Sequence, residues 1–481
     1  MAQRRARRAQ RGRRARRAFG LAAVVAITLS VAASLRGAAQ PVVADLVVQN
    51  GTVVTVDSER RVIADGAVAI RDGRIVAVGT RAEVRSGHTA RETLDAGGGL
   101  VLPGLINAHT HAPMVLFRGI ADDFRLMDWL QKYIFPAEKQ NVTAAFVKAG
   151  TRLAALEMIR SGTTTFADMY YFEDQVAEAC DEAGLRCVAG ETLIEFPAPD
   201  NATIPEALAY TEKFLKRWAG HPRVAAAVAP HSTYLASPDT LRAGRVLADR
   251  YRAPLLVHLS ESPDEQRQVQ DRYGKSPTRH LDDLRFLRKG VVGAHGIYLT
   301  PEDRALLREA EAGVVHCPQS NMKLSSGMAP VRDMLQEGAR LGLGTDGAAS
   351  NNDLDMFEEM LTAALLAKHA TGDPTAAPAP AVLEMATLGG ARALGREDEL
   401  GSLEAGKRAD LIVVGLAEPR LHPLYDAVSH LVYAAKGADV RHVVVEGRVI
   451  MRDRRVLTLD AAAVLAEADR LRARVAESVR P

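Results

Sequence analysis

Six side chains in this 481-residue sequence have the type and placement to handle a metal ion and a water: His109, His111, His231, His258, His295 and Asp346. His109 and His111 stand two apart in Asn107-Ala108-His109-Thr110-His111. On a strand, residues i and i+2 face the same side, so both imidazoles can reach one ion. A lone His-x-His is a modest signal. It gains weight from His258 and Asp346, which also stand at the ends of short apolar runs. Three neutral imidazoles and one carboxylate suit Zn²⁺, with Fe²⁺ or Mn²⁺ as alternatives, one ion per subunit. An open position on such an ion lowers the pKa of a water towards neutrality and supplies a hydroxide nucleophile. Glu261, three residues past His258 in His-Leu-Ser-Glu-Ser, could shuttle a proton. His295 could polarise or orient the water, and Asp346 could be both ligand and proton acceptor. Taken singly, a histidine is more often a core or surface residue. His88, His221, His280, His369, His422, His430 and His442 keep that reading, and His316 is open. Coincidence explains poorly why all six chosen residues follow strand-like runs.

Those runs alternate with helical stretches: Leu100–Asn107, Thr163–Met169, Arg186–Gly190, Arg223–Ala229, Pro254–Val257, Gly290–Ala294, Gly313–Val315 and Leu341–Gly344. Eight of them over about 250 residues have the size of a (β/α)8 TIM barrel, whose C-terminal strand ends carry the chemistry. Shorter β-like runs flank this middle. Asp45–Val48, Gly51–Val56, Ala67–Arg71 and Arg74–Val78 lie on one side, with Asn50-Gly51 and Asp72-Gly73 as turn residues. Leu411–Val414, Val443–Val445 and Arg448–Met451 lie on the other. The fold class is therefore α/β, a metal-dependent barrel with a small composite β-sandwich domain built from both chain ends. Expected boundaries are 1–39 for a leader, 40–98 and 399–457 for the two halves of the sandwich, 99–398 for the barrel and 458–481 for a surface helix.

At this point a resemblance enters. Leu102-Pro103-Gly104-Leu105-Ile106-Asn107-Ala108-His109-Thr110-His111 resembles the opening of amidohydrolase-superfamily enzymes. Arg118-Gly119, Ala121-Asp122-Asp123, Asp128-Trp129-Leu130, Pro136-Ala137-Glu138, Pro230-His231-Ser232 and Val257-His258-Leu259-Ser260-Glu261 resemble the 5-methylthioadenosine/S-adenosylhomocysteine deaminases of the ATZ/TRZ type. The blocks from His316 to Leu324 and from Gly344 to Asn352 do so as well, and the likeness runs from about Asp45 to Leu457. It implies that His109, His111, His258 and Asp346 bind the metal, that Glu261 protonates a purine ring nitrogen and that His295 stands beside the hydroxide. It also implies that Glu138 reads ribose hydroxyls and that His231 touches substrate; Trp129 belongs either to the pocket wall or to the core. A carboxylate can accept two bonds from a cis-diol, which makes Glu138 physically sensible in that role. The implied activity is hydrolytic deamination of adenine nucleosides to their inosine analogues. The alternatives are another aminated or chlorinated heterocycle, such as a triazine or guanine, and a degenerate barrel that only binds; the intact ligand set argues against the last.

The sequence departs from that family in one respect. Members that take S-adenosylhomocysteine hold its carboxylate with arginines between the third and fourth strands, whereas Glu191 to Lys216 contains none. Arg217 and Arg223 are doubtful substitutes, and Glu191 and Glu195 would repel an anion. Neutral substrates (5′-methylthioadenosine, 5′-deoxyadenosine, adenosine) are therefore expected. Charge distribution points the same way. The chain carries +2, but residues 1–39 hold ten arginines and no acid, so residues 40–481 carry −8, which speaks against nucleic-acid binding there. The arginines precede an apolar run from Phe19 to Leu35 and small residues at Ala38-Ala39, the order of a secretory signal. Arg16-Arg17-Ala18-Phe19 resembles a twin-arginine export motif, with cleavage after Ala39 or Ala44. Export without lasting membrane association is the expectation, against a membrane-anchored or cytoplasmic chain. Three cysteines are too few for a disulfide scaffold, and a homo-oligomer stays open.

Overall fold

The computed structural model describes residues 42–478; the leader and its cleavage point at Ala39 lie outside the described residues. Eight parallel strands follow one another in chain order: Leu105–Thr110, Thr163–Tyr170, Arg186–Leu193, Val224–Pro230, Leu255–Leu259, Val291–His295, Gly313–His316 and Arg340–Leu343. Just past the last strand, Asp346 N–H donates to the His109 carbonyl at 3.0 Å, which brings the eighth strand's end onto the first and closes the barrel there. Thr163–Tyr170 and Arg186–Leu193 are buried along their whole length. With helices outside and side chains inside, such strands read as continuous runs and not as alternation. The crossover helices start on clear signals. Ser237, Ser262, Ser276 and Thr300 each accept the backbone N–H three residues on, and each is followed by proline.

The two chain ends meet in a second, mostly antiparallel nine-stranded sheet. Val42–Val54, Val62–Arg71, Arg74–Thr80, His88–Asp95 and Leu100–Pro103 come from the front, and Leu411–Val414, Val440–Val445, Arg448–Arg452 and Arg455–Val456 from the rear. The seam is Leu100–Pro103 against Leu411–Val414. This corrects the expected first barrel strand: the run Leu100–Asn107 is two strands in two sheets. An unbroken apolar run has no periodicity to mark the break, but Gly104 does. Its N–H donates to the Asp410 carbonyl at 3.1 Å, and a Cβ there would lie 2.1 Å from Thr164 Oγ1. The strand His88–Asp95 was not expected either, because six of its eight residues are exposed and it shows no apolar face.

Two contacts matter for the site. Arg186, at the foot of the third barrel strand, is 1% exposed and binds Asp410 through Nε at 3.0 Å and Nη2 at 3.3 Å. Asp410 also accepts the Glu446 N–H at 2.7 Å, so one buried ion pair joins barrel and outer sheet. The C-terminal helix, Ala461–Ser478, is more than a surface element. Arg474 donates to the Gln140 carbonyl at 3.0 Å and Asn141 to Ser478 Oγ at 2.6 Å, bracing the short helix Phe135–Asn141 that carries Glu138.

Candidate active site

The first, fifth and eighth barrel strands deliver His109, His111, His258 and Asp346 to one place. The His111 Nδ1 lies 2.6 Å from the Met169 carbonyl, and the His258 Nδ1 lies 2.8 Å from the His231 carbonyl. A carbonyl only accepts, so both Nδ1 atoms carry the proton and both Nε2 atoms turn a lone pair inward. Those two Nε2 atoms are 3.3 Å apart. His111 Nε2 is 3.2 Å and His109 Nε2 3.5 Å from Asp346 Oδ1, and the His109 Nε2 is buried without a hydrogen-bond partner. Facing lone pairs at such separations repel unless a cation lies between them. Arms of about 2.0–2.1 Å around a tetrahedral ion give donor separations of about 3.3 Å, so the residues present fit a divalent metal.

Asp346 is itself held. Its Oδ2 accepts the hydroxyls of Ser320 at 2.7 Å and Ser350 at 2.9 Å, and its Oδ1 accepts the Gly347 N–H at 2.8 Å. Burial works to raise its pKa, but the contacts with His109 and His111 prevail and hold the carboxyl well below the carboxylate range. Backbone geometry marks the same spot. Ser260, His295 and Asp346 have φ of 54°, 76° and 61°, left-handed values that side chains other than glycine rarely adopt and that gather at functional sites.

Glu261 faces this cluster with its Oε1 3.6 Å from His295 Nε2. Burial pushes its carboxyl up, opposite to Asp346. His295 Nδ1 is 2.9 Å from Asn321 Oδ1. Across the pocket, Glu138 accepts the Tyr170 hydroxyl through Oε1 at 2.7 Å, and burial pushes it up to about 7 against that bond. His231 lines the same pocket; burial and the neighbouring His111 and His109 take it down to about 3, so it is neutral. Trp129 lines the pocket and is at the same time buried, with its Nε1 unpartnered. Leu126, Leu130, Ile134 and Phe135 complete an apolar wall on the segment between the first strand and Asn141. Lys323 latches that segment, donating to Asp122 Oδ1 at 2.6 Å, to the Ala349 carbonyl at 3.3 Å and to Asn352.

No lysine or arginine is among the residues lining the pocket. The expected part of Glu191 and Glu195 is corrected, however, because neither lines it. Glu191 turns outward and accepts the Glu173 N–H at 3.1 Å, while Glu195 accepts from Ser237 and Thr240 at a helix start. Arg217 pairs with Asp174 and Glu178, and Arg223 with Asp181 and Glu446, away from the pocket. His316 is buried and also absent from the lining, and Cys180, Cys187 and Cys317 are free, buried thiols. Sequence reasoning singled out none of Ser320, Asn321, Ser350 and Tyr170. Small polar residues and a tyrosine at a strand end are too common to be picked by type; Ser320, Asn321 and Ser350 had only their membership in the blocks from His316 and Gly344 as a signal, and Tyr170 had none.

Comparison with known proteins follows this geometry. The profile of the amidohydrolase family matches residues 100–450, and that of an imidazolonepropionase-like composite domain of bacteria matches residues 66–88. A 5-methylthioadenosine/S-adenosylhomocysteine deaminase of Syntrophobacter fumaroxidans is 52% identical over 88% of this chain and 96% of its own. A 5′-deoxyadenosine deaminase of Methanosarcina mazei is 45% identical over 89% of this chain and 97% of its own. The crystal structure of an adenosine deaminase from Xanthomonas campestris with bound zinc superposes with a TM-score of 0.89 at 39% identity, covering 91% of this chain and 100% of that one. The chain belongs to the amidohydrolase family, among the 5-methylthioadenosine/S-adenosylhomocysteine deaminases.

Proposed function

We propose that this protein is a hydrolase that deaminates neutral 5′-substituted adenosines at C6, releasing ammonia, with zinc as its metal. The observation that carries the reading is one pocket with a converging His₃Asp donor set and Glu261 at one end, a buried carboxylate at the other, and no lysine or arginine in its lining. A bound divalent ion supplies a water acidified towards neutral pH. The chain's own groups do the rest. Asp346, kept ionised, takes a proton of the attacking water and passes it to the amino nitrogen that leaves as ammonia, while Glu261, whose carboxyl burial pushes up, delivers one to the ring nitrogen beside C6 and recovers one from the new C6 hydroxyl. His295 orients the water from the side of Glu261. Glu138 keeps Oε2 free for the ribose diol while Tyr170 holds Oε1. His231, neutral, contacts the substrate base, and Trp129 walls the pocket.

An apolar wall with no arginine suits a methylthio or methyl 5′ group and offers a carboxylate tail no partner. Ammonia release from a panel of 5′-methylthioadenosine, 5′-deoxyadenosine, adenosine, S-adenosylhomocysteine and guanine, with chloride release from a chlorotriazine beside it, tests this on metal-analysed protein. The neutral adenosines should lead in kcat/KM; the homocysteine compound leading would overturn the specificity, and the triazine leading the activity. The arginine-rich leader supports action outside the cytoplasm. The outer-sheet strand already includes Val42, and Ala44 pairs with Ala90 within it, which favours cleavage after Ala39 over Ala44. N-terminal sequencing after cell fractionation checks this, and an unprocessed cytoplasmic chain would refute it.

A further inference from the structure

Glu265 belongs neither to the donor set nor to the pocket lining, yet it is fully buried. Its partners say what it does. The helix Pro263–Tyr273 is capped by Ser262, whose hydroxyl accepts the Glu265 N–H at 3.2 Å. A glutamate at this third helical position ordinarily turns back to the N–H of the cap residue itself. Here it reaches further. Oε2 accepts the N–H of Glu261 at 2.7 Å, and Oε1 accepts the hydroxyl of Thr233 at 2.6 Å. One carboxylate thus joins the loop after the fifth strand, which carries Glu261, to the loop after the fourth, which carries His231 and Tyr234. The bond at Glu261 N–H also sits next to the left-handed Ser260, where the chain would relax if released.

We propose that Glu265 is a positioning residue for proton transfer: it fixes the backbone of Glu261 against the 231–236 loop, so that the Glu261 carboxyl meets the base held by that loop. This rests on Glu261 being the proton carrier. A mere helix cap contributes about 1 kcal/mol of stability and leaves chemistry alone, whereas a displacement of about 1 Å at a reacting group costs roughly a hundredfold in rate. The two roles therefore separate by measurement.

The test uses the full chain with its metal content measured, and 5′-methylthioadenosine as substrate. Glu265→Ala should lower kcat by about thirtyfold, with KM and metal content little changed. Glu265→Gln keeps a carbonyl for the Glu261 N–H and an amide donor for Thr233 Oγ1, so it should recover most of kcat. Thr233→Val, the mildest variant, should lower kcat by about threefold and keeps the test alive should Glu265→Ala not fold. In a Glu261→Gln background, Glu265→Ala should cost nothing further. Loss of melting temperature with kcat intact, no recovery in Glu265→Gln, an unaltered kcat in Thr233→Val, or an equal kcat loss with and without Glu261 would each overturn the proposal. Full activity of Glu261→Gln would instead remove the proton-carrier reading beneath it.

Discussion

Replacing Glu138 with glutamine isolates the ribose contact from the chemistry. Glu138 is buried, and its Oε1 is taken by Tyr170 at 2.7 Å, so only Oε2 is free for the cis-diol. Hydrogen bonds to a charged acceptor contribute about 1.5–3 kcal/mol each, against about 1 for neutral ones. An amide in place of the carboxylate therefore loses about 2 kcal/mol over two hydroxyls, or about thirtyfold in kcat/KM. The loss should fall on KM for 5′-deoxyadenosine and disappear for its 2′,3′-dideoxy analogue, measured by ammonia release. The carboxyl stands at about 7 against an ordinary 4.5. The folded state thus binds a proton that the unfolded chain has lost, and stability declines as pH rises from 4.5 to about 7, by about 3 kcal/mol. Glutamine has no charge to desolvate, so the variant should melt higher than the parent above pH 7. Ribosides want the ionised form, so KM of the parent should improve as pH rises through about 7, and that trend should vanish in Glu138→Gln. An equal loss on the dideoxy analogue would refute the ribose assignment.

Further expectations follow from the same geometry. Asp346→Asn should lose nearly all turnover and lower metal content, and Glu261→Gln should leave a small, measurable residual turnover with metal retained; kinetics with elemental analysis separate them. Removing one partner of the buried Arg186–Asp410 pair, as in Asp410→Asn, strands a charge and should cost about 3–5 kcal/mol in denaturant unfolding, and Arg186→Met with Asp410→Leu should restore part of it. Deleting residues 460–481 removes the brace on the helix of Glu138 and should raise KM by about fivefold, or about 1 kcal/mol, with kcat little changed. A chelator should inactivate the enzyme and lower its melting temperature, with both restored by Zn²⁺.

The barrel was legible because short apolar runs alternate with helical stretches, and the helices after the third, fourth, fifth and sixth strands start on a serine or threonine cap with proline in the first turn. The donor set was legible because imidazoles and carboxylates at strand ends have few other uses. What escaped notice had no distinguishing pattern. The exposed strand His88–Asp95 is held by backbone pairing to Val42–Gln49, which leaves no trace in side-chain type. The break at Gly104 is a steric event between Thr164 and the outer sheet, hidden within a run that looks continuous. Glu191 illustrates a different limit: its position near the third strand's end was correct, but the direction of its side chain depends on strand phase. Thr192, its neighbour, is the residue that lines the pocket.

That last point changes why the substrate should be neutral. Repulsion by Glu191 and Glu195 would have been a long-range argument, weakened by salt and by their own hydrogen bonds. The structure replaces it with an absence of pairing inside a buried, apolar wall, where leaving an anion unpartnered costs several kcal/mol regardless of ionic strength. The same pocket divides the two carboxyls proposed for catalysis. Asp346, held by two serine hydroxyls and two imidazoles, lies well below the carboxylate range, while burial pushes the carboxyl of Glu261, which lacks such donors, upward. Opposite shifts of the same functional group within one pocket are what the proposed base and acid require, and the apolar environment that offers a charged tail no partner is also what pushes Glu261 up.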